Sequence, residues 1–172
     1  KSKYGTYFVT GNHEYYSGAE QWVDKVHELG MIHLENEHRI LKKGKASLAI
    51  AGVTDLMAHH TIKSHKTDPH KAMRGIPDDM PSIMLAHQPG TVELTQGLSI
   101  DLLVSGHTHG GQFMPFNLAV AKAHKYYAGL YNHGTMQVYV NRGTGYWGPP
   151  LRLGIPSEIT LFKLSSVEID IS

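Results

Sequence analysis

Apolar residues in this chain come in short bursts cut by glycine, proline and charge, and the spacing of the bursts predicts alternating strands and helices. Tyr7, Phe8 and Val9 form a strand-sized run that stops at Thr10-Gly11-Asn12, as a buried strand does when it breaks into a loop. A helix is expected over residues 19–29, with Ser17 as N-cap, Glu20 as its capping-box partner and Trp22, Val26 and Leu29 on one face. Gly30 would stop it. Ile32, Leu34 and Ile40 alternate with polar residues around an Asn36-Glu37 turn, and Gly44 leads into an apolar stretch over 47–52, which reads as a run of antiparallel hairpins. Residues 54–81 are polar and weakly patterned, with one helical turn expected near 70–74. We read that segment as an excursion over an active face.

The second half repeats the strand signal. Ile83-Met84-Leu85 is a core strand ending in Ala86-His87-Gln88-Pro89. A short helix over 91–96 and Gly97 precede another strand over 101–105, which opens into Gly106-His107-Thr108-His109-Gly110-Gly111. Residues 113–133 read as a loop holding a helix over 118–125. Strands over 136–141 and 158–164 are assigned to a second sheet, with an edge strand over 167–171. The fold class predicted is α/β.

Composition narrows the chemistry. One domain fits 172 residues. With 16 Lys and Arg against 15 Asp and Glu, the formal charge is +1, so no general attraction to nucleic acid is expected and an anionic ligand must be held locally. There is no cysteine, which removes disulfides and thiolate metal sites, so any metal must see nitrogen and oxygen. No apolar run is long enough to span a bilayer. Thirteen histidines remain to be explained, and imidazole is both a metal ligand and an acid or base near neutral pH.

Three strand ends carry the candidate chemistry: Asn12 with His13, then His87, then His107 with His109. In open α/β sheets, ligands bind outside the carboxyl ends of the strands. An isolated His-x-His reads equally as a solvated loop or a metal site. The blocks Gly11-Asn12-His13-Glu14, Ala86-His87 and Gly106-His107-Thr108-His109, taken in order, resemble the last three motifs of the calcineurin-like metallophosphoesterases. Flanking stretches extend the likeness from about Gly5 to Leu164: Ala51-Gly52-Val53-Thr54-Asp55, His87-Gln88-Pro89, Gly110-Gly111-Gln112, Asn141-Arg142-Gly143-Thr144-Gly145 and Leu151-Arg152-Leu153-Gly154. They look like a bacterial branch of that family often found in membrane-associated phosphoesterases.

The resemblance implies a sandwich of two mixed sheets flanked by helices, with a dimetal centre at one edge. It makes Asn12, His87 and His107 ligands of one divalent ion, His109 a ligand of the other, and His13 the acid that protonates the leaving alkoxide. Manganese, iron or zinc would suit such a mixed nitrogen and oxygen set. The implied substrate is a phosphorylated small molecule or a lipid-linked one, with no nucleic-acid partner.

The family's first two blocks, an Asp-x-His on the first strand and a Gly-Asp-x-x-Asp whose first aspartate bridges both metals, have no counterpart ahead of Asn12. Residues 1–172 are therefore read as the C-terminal portion of a single metallophosphoesterase domain. An absent N-terminal segment would complete the site and carry any membrane attachment, and at most one ion would be well held by this portion alone. The alternatives are a noncatalytic binding module holding at most one metal and an interaction domain with a vestigial site. Several residues keep two readings. Asp55 is a ligand or structural, Arg142 a phosphate partner or half of a salt bridge, and His59 and His60 substrate contacts or solvated. Tyr15 and Tyr16 line a pocket or pack, and Tyr126, Tyr127 and Tyr131 sit at a headgroup level or pack.

Overall fold

The computed structural model describes residues 2–165. Its main body is a six-stranded mixed sheet in the order β3-β4-β5-β6-β8-β7. The strands are β3 (Glu37–Lys43), β4 (Ala46–Gly52), β5 (Ser82–Leu85), β6 (Leu102–Ser105), β7 (Gly129–His133) and β8 (Met136–Val140). The four inner strands β4, β5, β6 and β8 run parallel, whereas β3 and β7 close the edges as antiparallel hairpin partners of β4 and β8. Parallel inner strands are covered on both faces, which is why β4 and β6 read as continuous apolar runs. Ala51, Val53, Met84, Leu103, Val138 and Val140 form the centre of the core.

A second, smaller layer is a parallel pair, β1 (Tyr7–Phe8) with β2 (Ile32–His33). It packs on β4 at Gly52, where a Cβ would lie 2.5 Å from Leu34 and 2.7 Å from Val9. The helices are α1 (Asn12–Ser17), α2 (Ala19–Glu28), α3 (Pro69–Met73) and α4 (Phe116–Ala123).

Several expectations change. Residue 32 does not begin a hairpin: β2 pairs with β1 in parallel, and only β3 with β4 makes the expected antiparallel turn. The 136–141 strand belongs to the main sheet beside β6 rather than to a second sheet. No strand forms over 158–164, although that stretch runs beside β8, with the Thr160 hydroxyl 2.7 Å from Tyr139 Oη. The expected edge strand at 167–171 lies outside the described residues. Ser17 ends α1 instead of capping α2, whose N-cap is Gly18 in the left-handed region. On α2, Val26 is buried but Trp22 and Leu29 are exposed, so only part of the expected face is covered. The 91–96 helix is a 3₁₀ segment at Pro89–Leu94, and the supposed loop at 113–133 ends in β7. The polar excursion contributes buried Ala58, Thr67, Ala72 and Met73, so it is packed structure rather than a loose cover.

Candidate metal centre

Because β4, β5, β6 and β8 are parallel, their carboxyl ends share one edge, and the loops that follow deliver His87 and His107 there. Asn12 arrives from the other layer as the first residue of α1. That short helix is fixed by Glu14, whose Oε2 accepts the Gly11 N–H at 2.6 Å, so the carboxylate holds an N-terminal donor that would otherwise be orphaned. Gly11 is required for another reason. A Cβ there would sit 2.7–2.8 Å from three atoms of the His87 ring.

Asn12 Oδ1, His87 Nε2 and His107 Nδ1 form a triangle with edges of 2.9, 3.1 and 3.2 Å. An amide oxygen donates nothing and a neutral imidazole nitrogen carries at most one proton, so hydrogen bonds satisfy at most two of the three edges in any tautomer. A cation would satisfy all three at once. Donors about 2.1 Å from an ion and at right angles to one another lie roughly 3.0 Å apart, close to the distances present. Protonation is also suppressed. Burial, then the imidazoles of His107, His109 and His13, push His87 down to about 3. Burial lowers His107 as well, despite the carboxylate of Asp55. Among the described residues no group of three or more His, Cys, Asp or Glu side chains suits a metal, so the set that fits is two imidazoles and one amide.

The triangle opens into a cleft of about 300 Å³ that His13, His109, Phe116, Val120, His124 and Trp147 also line. His13 is exposed on its wall, with its ring 5.6 Å from that of Tyr16. His109 does not join the triangle. Its Nδ1 lies 3.2 Å from a guanidinium nitrogen of Arg152, and burial followed by that positive charge lowers its pKa. Arg152 also donates to the carbonyls of Arg142, Gly145 and His109, so it ties the segment after β8 to the turn after β6. The turn itself is strained: His107, His109 and Gln112 all have positive φ, at 67°, 53° and 56°. Non-glycine residues in that region carry a cost that a surrounding structure must hold, and such positions gather at functional sites. Gln112 supplies part of the hold, accepting the Trp147 N–H at 2.7 Å and donating to the carbonyls of Trp147 and Pro149.

The structure separates the residues with two readings. Asp55 is buried and its carboxylate accepts from the Gln88 amide and the Met57 N–H, which orders the residue beside His87. Arg142 Nε is 3.7 Å from Glu158, the salt-bridge reading. Tyr126 is buried against Tyr131 and bonded to His133, so this group packs. His59 and His60 are exposed with their rings tilted at 38° and 4.1 Å apart, and neither lines the cleft. Tyr15 packs rather than lining the pocket, with its hydroxyl bonded to Thr10 and His65. The sequence does hold one Asp-x-His, at Asp68-Pro69-His70, but Asp68 caps α3 by accepting the Lys71 N–H and lies outside the cleft. Sequence reasoning missed Arg152, Gln112 and His124 as parts of the site. For the first two, the signal was their place beside glycine-rich turns.

No family model matches the chain. Over 166 residues it is 44% identical to a metallophosphoesterase of Helicobacter pylori, a match covering 95% of this chain and 44% of that protein. A Bos taurus protein described as a transmembrane protein with a metallophosphoesterase domain is 43% identical over 179 residues, covering 96% of the chain and 40% of the relative. The chain thus spans less than half the length of these relatives. Its fold is similar to that of the sulfate thiohydrolase SoxB of Thermus thermophilus solved with glycerol, with a TM-score of 0.55 at 16% identity, over 78% of this chain and 27% of that one.

Proposed function

We propose that this chain, a homologue of metallophosphoesterases along nearly its whole length, carries much of a phosphoester hydrolase centre that works with two divalent ions. The observation that carries the reading is the triangle of Asn12, His87 and His107, whose three lone pairs converge with no hydrogen-bonding pattern that satisfies them. These residues hold one ion. Arg152 on Nδ1 of His109 leaves Nε2 as the nitrogen for a second. When bound, such ions supply charge stabilisation and an activated water for in-line displacement at phosphorus. His13, exposed on the cleft wall, delivers the proton to the leaving alkoxide, a role for which an imidazole is suited near neutral pH. Phe116, Val120 and Trp147 give the cleft an apolar wall. The substrate is a phosphomonoester, a phosphodiester or a lipid-linked pyrophosphate.

The test combines metal analysis with turnover of an aryl phosphate or phosphodiester in the presence of Mn²⁺ or Zn²⁺. His107→Ala should abolish metal uptake and hydrolysis while circular dichroism stays unchanged. Full activity in that variant would overturn the reading. A second reading, a module binding a single metal without turnover, is favoured by the lack of a carboxylate at the triangle. Two equivalents of metal per chain would contradict it, and one equivalent without hydrolysis when the preceding N-terminal segment is also present would select it.

A further inference from the structure

The short helix α4 is turned inside out. Asn117, the polar residue of its first turn, faces the protein: its Cα lies where a Cβ on Gly111 would be 2.2 Å away, and its Oδ1 is buried without a partner. The next residue, Leu118, is 65% exposed, and no residue of the helix is buried. A helix facing water places its residues the other way round, and eight residues have little helical stability of their own. The exposure continues beyond the helix. Met114 is 53% exposed and donates its N–H to the carbonyl of Leu153, which is 58% exposed. Phe116 meets the Trp147 ring edge-on at 5.7 Å, at the mouth of the cleft.

Charge selects what would cover this rim. Between Asp101 and Glu158 the sequence holds no acidic residue at all. Of the cations in that stretch, Arg142 is paired with Glu158 and Arg152 is spent on carbonyls and His109. Lys122 and Lys125 remain at the C-terminal end of α4, the latter in an exposed 3.8 Å pair with Glu93. Apolar side chains pointing outward, an aromatic ring at the border, a Lys122 unpaired among the described residues and a Lys125 held only by an exposed contact to Glu93 match a headgroup layer over an acyl boundary.

We propose that α4 and its rim dock on an anionic lipid bilayer, with Leu118 and Met114 entering the acyl boundary and Lys122 and Lys125 among the headgroup phosphates. Docking sets the mouth of the cleft against the headgroup layer. It requires no turnover, so it stands or falls apart from the hydrolytic reading.

Co-sedimentation of the 172-residue chain with vesicles of mixed phosphatidylglycerol and phosphatidylcholine tests it. The chain should partition onto the vesicles in about 0.1 M salt. Leu118→Ser should weaken that partition about tenfold, since it removes a side chain that the lipid would bury. Removing the charge of Lys122 or Lys125 should weaken it roughly fivefold each. Leu118 lies outside the cleft lining and is 65% exposed, so circular dichroism of Leu118→Ser should match the unmodified chain and report a retained fold. Failure of the chain to bind vesicles, or undiminished binding by Leu118→Ser, would overturn the proposal. Self-association abolished by Leu118→Ser, without vesicle binding, would overturn it in favour of a second copy of the chain.

Discussion

Single atoms decide the quality of the candidate centre. Gly11 is a case where a missing side chain positions a ligand, because the space its Cβ would fill is taken by the His87 ring. Gly11→Ala must push that ring away or shift α1, an overpacking that costs about 1–3 kcal/mol. Its clearer readout is metal affinity. Titration should show a loss of tenfold or more, and an unchanged affinity would mean that His87 does not belong to the donor set. Gln88 works one residue further along the same loop. Its amide donates twice to the buried carboxylate of Asp55, at 2.9 and 3.1 Å. Gln88→Ala leaves that carboxylate with the Met57 N–H alone, and a buried acceptor that loses its partners costs about 1–3 kcal/mol. Urea denaturation should register the loss as a lower midpoint at unchanged slope.

Among the elements, the parallel strands were legible and their neighbours were not. The runs ending at His87 and His107 carry both an apolar core and a chemical terminus, so one reading located strand and site together. Alternation near Ile32 reads Ile32 and Leu34 as inward and His33 as a surface position, yet His33 is buried and Ile32 only half-buried, because β2 lies alongside β1 rather than β3. In the same way, alternation at residues 136–140 showed a strand without showing its sheet. The helix α1 was hidden because Asn12–Ser17 has no apolar period, and its start depends on a Glu14 bond to a backbone donor. The β2 strand also sets a pH dependence. His33 is buried with Nε2 unpartnered, and burial lowers its pKa. The unfolded chain then binds a proton below pH about 6.5 that the folded chain refuses, so stability is full above that pH and falls as the pH drops below it. One such group contributes at most about 1.4 kcal/mol per pH unit. His33→Leu should therefore flatten the acid limb of a stability–pH curve without abolishing it, because His87, His107 and His109 shift in the same direction.

For the whole molecule, the three donors matter because of what they join. Asn12 belongs to the layer of β1, β2 and α1, whereas His87 and His107 belong to the six-stranded sheet, and the two layers also meet where Leu34 and Val9 close over Gly52 and where Gly11 lies against the His87 ring. An ion held by that triangle is a cross-link between layers, and the unfolded chain cannot offer three donors so far apart in sequence. Binding energy must then appear as folding energy. A metal at one hundred times its dissociation constant adds about 2.7 kcal/mol. For a chain of this length, each kcal/mol raises the melting temperature by roughly 2–4 °C. Thermal scans should show a rise of about 5–10 °C with saturating Mn²⁺ or Zn²⁺, growing with the logarithm of metal concentration. Asn12→Ala should remove most of the rise, because it uncouples the smaller layer while leaving both imidazoles in place. Equal stabilisation of Asn12→Ala and the unmodified chain would show that the ion sits on the sheet alone, and would dissolve the link between the layers that the triangle implies.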